Sequence, residues 1–167
     1  SLHAACQAPQ CVTSMEAARR LLPSSQHDLD LQMTDAAPLD VVVVMDPIES
    51  IKTAKDSTFA MLLEARRRGH RLHYVRPGGL ALRGARAVAT AAQLSVQDVQ
   101  GSHFRLGDWQ ELDFGPSHVV LMRTDPPVDA DYLHDTQLLG MAQRQGARVV
   151  NDPQGLRDFN EKLAALL

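Results

Sequence analysis

Three polar side chains directly follow apolar, strand-like runs, and they are the best placed for chemistry. Arg123 can hold a carboxylate or a phosphate with paired hydrogen bonds, or it can pair with Asp125 as a structural brace. Asp46 is held where a ligand would sit, or it forms a turn that leads into Pro47. Asn151 occupies the same place after a later run. The pattern favours an anion at Arg123 and leaves the structural alternatives open.

The start of a predicted helix supplies a further candidate for anion binding. Asp56, Ser57 or Thr58 can cap this helix, and apolar residues then recur at helical spacing until Gly69. Ser57 and Thr58 present hydroxyl groups and the unpaired N–H groups of the first turn toward an anion. Ordinary capping explains the same two residues equally well, so both interpretations stay open.

The sequence lacks the motifs of several common enzyme classes. No Gly-x-Gly-x-x-Gly or Walker-type Gly-Lys-Ser follows the first predicted strand, so a dinucleotide or P-loop site is not supported. Nothing resembles a nucleophile elbow, and Gly78-Gly79 is predicted to be a turn. Cys6 and Cys11 have no partners for a zinc site, and their pattern fits a reducing compartment. We therefore expect no metal site and no disulfide framework.

The composition excludes two broad classes of function. The 167 residues carry 17 Lys and Arg against 20 Asp and Glu, a net charge of −3, so the basic excess that nucleic-acid binding requires is missing. The longest apolar run, from Val41 to Met45, is strand-sized and far below the roughly 20 residues of a membrane span. The first residues do not resemble a secretory signal. We expect a cytoplasmic protein without nucleic-acid or membrane partners.

Strand and helix patterns alternate along the chain. In order, they predict a strand at 40–45, a helix from about 56 to 68, a strand at 71–75, short antiparallel strands within 80–112, a strand at 117–122, a helix at about 132–145 and a strand at 147–150. This order is typical of an α/β fold with a parallel sheet, helices on both faces and a small antiparallel insert at one edge. Ligands bind such sheets beyond the carboxyl ends of the strands, where Asp46, Arg123 and Asn151 lie.

Five ordered motifs carry a specific resemblance. They are Val-Met-Asp-Pro-Ile at 44–48, Lys-Asp-Ser-Thr-Phe-Ala-Met-Leu-Leu-Glu-Ala at 55–65, Arg-Arg-Gly-His at 67–70, Leu-Met-Arg-Thr-Asp-Pro-Pro at 121–127 and Val-Asn-Asp-Pro-Gln-Gly-Leu-Arg-Asp-Phe-Asn-Glu-Lys-Leu at 150–163. In order and spacing, they resemble the N-terminal part of bacterial glutathione synthetase, from about Leu39 to the last residue. The resemblance implies a Rossmann-like domain that precedes an ATP-grasp domain.

The same resemblance implies three parts of the chain. Residues 39–156 would form the glutathione synthetase N-terminal domain, and 157–167 would begin the link into an ATP-grasp domain. Residues 1–38 have no counterpart in the resemblance and are predicted to be a mostly disordered extension. A helix-like stretch at 14–22 leaves a docking helix for a partner as the alternative there.

The activity that the resemblance implies is that of glutathione synthase. In this family ATP phosphorylates the cysteinyl carboxylate of γ-glutamylcysteine, and the amine of glycine attacks the acyl phosphate to give glutathione, ADP and phosphate. Mg²⁺ and cationic side chains neutralise the developing charge. The ATP-grasp domain binds most of the ATP and Mg²⁺, so we expect no catalytic residue and no activity in this segment alone. The family commonly forms homotetramers.

The resemblance also implies binding roles for individual residues. Four are expected at loops facing the peptide substrate: Asp46, Ser57, Thr58 and Arg123. Asn151 lies at the approach to the nucleotide-binding lobe, and Lys162 matches a lysine that touches an ATP phosphate, although alone it would be a solvated helix residue. Thr124 and Asp152 stand where the family usually has lysine, which removes two positive charges beside an anionic site.

Two other functions compete with this interpretation. A free-standing Rossmann-like domain could bind a ligand without catalysis. A phosphoryl-accepting receiver domain would need a second acid beside Asp46, whose neighbours are Met45 and Pro47, so the sequence disfavours it.

Overall fold

A computed structural model describes residues 37–99, 101–124 and 127–158, and these contain one six-stranded sheet. The strands run β4-β3-β2-β1-β5-β6 across the sheet. Strand β1 pairs in parallel with β2 and β5, and β5 with β6, whereas β2-β3 and β3-β4 are antiparallel. The elements are β1 (Asp40–Met45), a 3₁₀ turn (Ile48–Ser50), α1 (Ser57–Arg67), β2 (Arg71–Arg83), β3 (Arg86–Val96), β4 (Phe104–Asp113), β5 (His118–Arg123), α2 (Ala130–Arg144), β6 (Arg148–Val150) and α3 (Pro153–Asp158).

Strand β1 lies at the centre of the fold and is buried on both faces. Val41 and Val43 pack in the apolar cluster that contains the buried residues of α1. Val42 and Val44 pack in the cluster that contains the buried residues of α2. Because successive side chains of a strand point to opposite faces, an unbroken run of valines serves both layers. The predicted α/β fold with helices on both faces is confirmed.

Strand β2 is longer than predicted, because it continues through Pro77-Gly78-Gly79 to Arg83. The predicted turn at Gly78-Gly79 is therefore wrong. The pairing with β3 shifts register between Val75 and Leu80, which marks a bulge, and Gly78 takes a φ of +75° there. A Cβ on Gly79 would lie 2.8 Å from the carbonyl oxygen of Arg76, so the backbone approaches too closely for a side chain.

The antiparallel insert consists of two long strands instead of the predicted short ones. Gln93 lies on the exposed side of β3 between the buried residues Ala92 and Leu94, so the polar residue alternates with the core and does not interrupt the strand. The insert occupies one edge of the sheet, as predicted.

Two of the predicted parts fall largely outside the described residues. Of the predicted extension at 1–38, residues 1–36 lie outside the described ranges. Of the predicted link at 157–167, residues 159–167 lie outside them. The domain boundaries accordingly stay predictions. None of the helices in the described ranges is long and apolar enough to cross a membrane.

Candidate functional site

A cleft of about 840 Å³ lies at the carboxyl ends of β1 and β5. Five residues proposed from the sequence line it together: Asp46, Ser57, Thr58, Arg123 and Asn151. The sheet register accounts for this proximity. Met45 at the end of β1 pairs with Arg123 at the end of β5, and Leu121 of β5 pairs with Val150 beside Asn151. The residues that follow β1, β5 and β6 thus lie together at the carboxyl ends of these strands.

The guanidinium of Arg123 is held by two hydroxyl groups at the start of α1. Its Nε donates to Oγ1 of Thr58 at 3.0 Å, and its Nη2 donates to Oγ of Ser57 at 3.0 Å. Thr58 is only 5% exposed, whereas Arg123 is exposed. The arginine therefore extends from the buried end of β5 across the first turn of α1.

The cap of α1 is Asp56. Its Oδ1 accepts a hydrogen bond from the backbone N–H of Phe59 at 2.8 Å, the usual pairing of an N-cap side chain with the third helical residue. Of the three candidate caps, this leaves the hydroxyls of Ser57 and Thr58 available for Arg123. The partial positive charge of the helix start adds to that of the guanidinium.

Lys52, Lys55 and Tyr132 also line the cleft, and the sequence assigned no site role to them. The two lysines belong to a tight turn in which the N–H of Lys55 donates to the carbonyl of Lys52 at 2.8 Å. The sequence signal that could have predicted a site role for both lysines is their position in a polar loop after a buried strand. Tyr132 lies in the first turn of α2, and burial raises the pKa of its hydroxyl.

The backbone of the loop after β1 is anchored from the sheet. The hydroxyl of Tyr74 on β2, itself fully buried, donates to the carbonyl oxygen of Asp46 at 3.3 Å. Farther along the loop, Nε2 of His103 lies 3.0 Å from the carbonyl oxygen of Ile48. These contacts hold the segment that carries Asp46 against the end of the sheet.

A second cavity of about 510 Å³ shares Asp46, Thr124 and Tyr132 with the cleft, and all the charged residues in its lining are acidic. It is lined in addition by Asp129, Asp131 and Asp135. The described residues thus place Lys52, Lys55 and Arg123, together with Asp46 and Asp56, in the cleft beside a cavity whose charged residues are all acidic. Such an arrangement suits a ligand that carries both carboxylate and ammonium groups.

The two positions that depart from the family pattern have different environments. Asp152 accepts hydrogen bonds from the N–H of Gly155 at 2.8 Å and from Nε2 of Gln143 at 3.2 Å. The first of these, at the start of α3, lowers the pKa of Asp152. The hydroxyl of Thr124 is buried and has no hydrogen-bond partner among the described residues. Asp152 therefore caps the start of α3.

Two other residues named in the sequence predictions lie outside the described residues. Asp125, the alternative partner of Arg123, is one of them, and Lys162 is the other. Within the described ranges, no group of three or more His, Cys, Asp or Glu side chains could hold a metal ion. We assign no metal ligand to these residues.

Comparison with known proteins identifies the family. A family model described as "Prokaryotic glutathione synthetase, N-terminal domain" matches residues 39–157. The chain belongs to the prokaryotic glutathione synthetase family. The match includes the cleft and every element of the sheet. It begins at the residue where the motif resemblance begins, so the predicted family is confirmed.

Individual glutathione synthetases resemble the chain closely but extend well beyond it. The one from Xanthomonas axonopodis pv. citri is 73% identical over 129 residues, which make up 77% of this chain and 41% of that protein. The one from Xylella fastidiosa (strain Temecula1) is 58% identical over 78% of this chain and 41% of its own length. That of Yersinia pestis is 47% identical over 72% and 38%. The chain thus spans about two fifths of these relatives.

Proposed function

We propose that this chain forms the substrate-side lobe of a glutathione synthase, which joins γ-glutamylcysteine to glycine and converts ATP to ADP and phosphate. One observation supports this most directly. The peptide-facing residues expected from the family motifs, Asp46, Ser57, Thr58 and Arg123, line a single cleft at the carboxyl end of the sheet. A resemblance in sequence alone does not require these separated positions to share one cavity.

The side chains of the cleft bind and orient the peptide. Arg123 binds a carboxylate through paired hydrogen bonds, because a planar guanidinium matches the two oxygens of that group. Lys52 and Lys55 increase the positive potential around it. The neighbouring cavity, which contains Asp129 and Asp131, suits the ammonium group of a γ-glutamyl residue. This charge pattern supports a zwitterionic peptide as the substrate.

ATP supplies the phosphoryl group that activates the peptide carboxylate. On this chain, Asn151 and Lys162 are proposed to face the nucleotide, and Asn151 lines the cleft on the side of α3, where Leu156 also lies. Mg²⁺ is proposed to accompany ATP on the part of the enzyme beyond this chain. We further propose that the complete enzyme is a homotetramer.

A chimera tests the proposed function. Residues 39–157 of this chain replace the matching segment of the Xanthomonas axonopodis glutathione synthetase, and glutathione formation from γ-glutamylcysteine, glycine and ATP is measured. We expect activity close to that of the unmodified Xanthomonas protein, because the two segments are about 73% identical. A chimera with native circular dichroism and an unchanged melting temperature but no activity would contradict the proposal and favour a binding domain without catalysis.

A further inference from the structure

We propose that Thr58 and Ser57 are positioning residues that orient the guanidinium of Arg123 and affect peptide binding through it. This inference rests on the proposed role of Arg123 in binding a carboxylate. It changes the expectation from the motifs, in which all three residues face the substrate directly.

The two hydroxyls occupy one edge of the guanidinium. Thr58 accepts from Nε and Ser57 accepts from Nη2, both at 3.0 Å. An arginine has five N–H donors in a fixed planar fork, and these two nitrogens lie side by side on it. The contacts therefore fix the plane of the group as well as its position.

Thr58 lines the cleft but exposes very little of its surface there. Its residue is 5% exposed, and its hydroxyl oxygen already accepts from Arg123. The exposed Ser57 contributes the second contact at the rim. Asp56 caps α1, so neither hydroxyl is required to complete the helix end. Their shared contact is the arginine.

The consequence is a preoriented carboxylate receptor. With Nε–H and one Nη2–H held by hydroxyls, the terminal edge of the group keeps an Nη1–H and the second Nη2–H, which run parallel, and this pair matches the two oxygens of a carboxylate. A held arginine loses less conformational freedom when a ligand binds than a mobile one does. Removing the hydroxyl of Thr58 should therefore weaken peptide binding through the loss of its hydrogen bond with Arg123.

Steady-state kinetics of the chimera described above test this directly. Thr58→Val removes the hydroxyl at nearly constant volume, and we expect kcat/KM for γ-glutamylcysteine to fall roughly 3- to 10-fold, mainly through KM. Thr58→Ser keeps the hydroxyl and should restore kcat/KM to within about 2-fold of the parent. The Thr58→Val/Arg123→Ala double variant should be no worse than Arg123→Ala, because Thr58 acts only through the arginine.

A matched control separates positioning from stability. Thr136 of α2 is fully buried, and its hydroxyl donates to the carbonyl of Leu133 at 2.7 Å. Thr136→Val also removes a buried threonine hydroxyl and should lower the melting temperature without changing KM. If Thr58→Val behaves like this control, or if its effect adds to that of Arg123→Ala, the positioning role is overturned.

A measurement on the 167-residue chain itself keeps the inference testable apart from catalysis. In ¹⁵N NMR spectra, the Nε–H of Arg123 should exchange slowly with water, and Thr58→Val should accelerate that exchange several-fold, whereas Thr58→Ser should not. Unchanged exchange in Thr58→Val would overturn the inference. An inactive chimera, or normal kinetics in Arg123→Ala, would instead contradict the proposed function and leave the exchange result to decide this inference.

Discussion

At the residue scale, Arg123 connects most of the observations. It ends β5 and extends across the first turn of α1, where hydroxyls hold one edge of its guanidinium. The sequence left it as either a ligand-binding residue or a brace for Asp125. The structure adds hydroxyl partners that carry no negative charge, so the positive charge is not neutralised by them. That charge is what an anionic substrate requires.

We predict that Arg123→Ala in the chimera reduces kcat/KM for γ-glutamylcysteine by a factor that corresponds to roughly 1.5–3 kcal/mol, the range for a charged hydrogen bond. Arg123→Lys should recover only part of this loss, because an ammonium group lacks the parallel pair of donors. Initial-rate kinetics at varied peptide concentration measure both values. Unchanged kinetics with a lower melting temperature would show that Arg123 is a brace.

At the element scale, an ion pair joins β1 to β2 at the end of the sheet opposite the cleft. Asp40 accepts from Nε and Nη2 of Arg71, both at 2.7 Å, and lies 3.0 Å from Nε2 of His73. The hydrogen bonds from Arg71 hold the pKa of Asp40 far below its usual value of 3.8. Asp40 is 8% exposed, so its charge depends on these partners.

We predict that Asp40→Asn lowers the free energy of unfolding by about 1–2 kcal/mol at neutral pH, because Arg71 is half exposed and the full value of a buried pair does not apply. A lowered folded pKa gives stability that is present above pH 3.8 and lost as the pH falls toward the folded value. The difference between wild type and variant should therefore shrink below about pH 4. Urea unfolding, followed by the fluorescence of Trp109, the single tryptophan, measures it. A difference independent of pH would contradict the ion pair.

A second carboxylate, in α2, has the opposite electrostatic environment. Asp135 is 5% exposed and faces the bulge of β2, where the backbone N–H of Gly78 donates to it. Burial outweighs this hydrogen bond and raises the pKa of Asp135 above 3.8. A raised folded pKa means that the folded state binds the proton more tightly than the unfolded state does. Stability is therefore lost as the pH rises from about 3.8 through the folded value.

We predict that Asp135→Asn increases the free energy of unfolding at neutral pH, because the amide can still accept from Gly78 and carries no charge. The gain should disappear below about pH 4, where the wild-type carboxyl is protonated in both states. Asp40→Asn is the matched control, since the same substitution should change stability in the opposite direction. A loss of stability in Asp135→Asn at neutral pH would show that its charge is compensated in the folded chain.

At the scale of the whole molecule, the chain matches only 41% of the length of its Xanthomonas and Xylella relatives. Its described residues form one six-stranded sheet with an open cleft at the carboxyl ends of β1 and β5. In the proposed function, the cleft is one wall of the peptide site, and ligation uses further groups on another wall. In the proposed function this lobe contributes positioning, since ligation depends on orientation and charge stabilisation.

We predict that the 167-residue chain binds γ-glutamylcysteine weakly but forms no glutathione when glycine, ATP and Mg²⁺ are supplied. Isothermal titration measures the binding, and a coupled assay for ADP measures turnover. Arg123→Ala should abolish the binding signal, whereas the surface substitution Arg83→Ala on the distant hairpin should not. Turnover by the chain alone would contradict its assignment as one lobe.

Local patterns in the sequence were enough to predict the fold class, the central strand and the family of this protein. The valine run predicted a strand buried on both faces, because burial on both faces follows from neighbours along the chain. The polar residues that follow the strands predicted a ligand site at the strand ends, where the cleft lies. The motifs identified the family. In the antiparallel insert, prediction from local pattern was less accurate: Gly78-Gly79 forms a bulge, and Gln93 lies within a continuous strand.

Tertiary structure alone decided which side chains meet. Arg123 and Thr58 are 65 positions apart, and no local pattern specifies that the hydroxyl accepts from the guanidinium. Local pattern likewise does not specify that Lys52 and Tyr132 line one cleft. It also does not specify that burial raises the pKa of Asp135 while hydrogen bonds from Arg71 lower that of Asp40. Strand register and helix packing set these distances. They arise from the whole sheet, so the types of the site residues follow from the sequence and their partners follow from the fold.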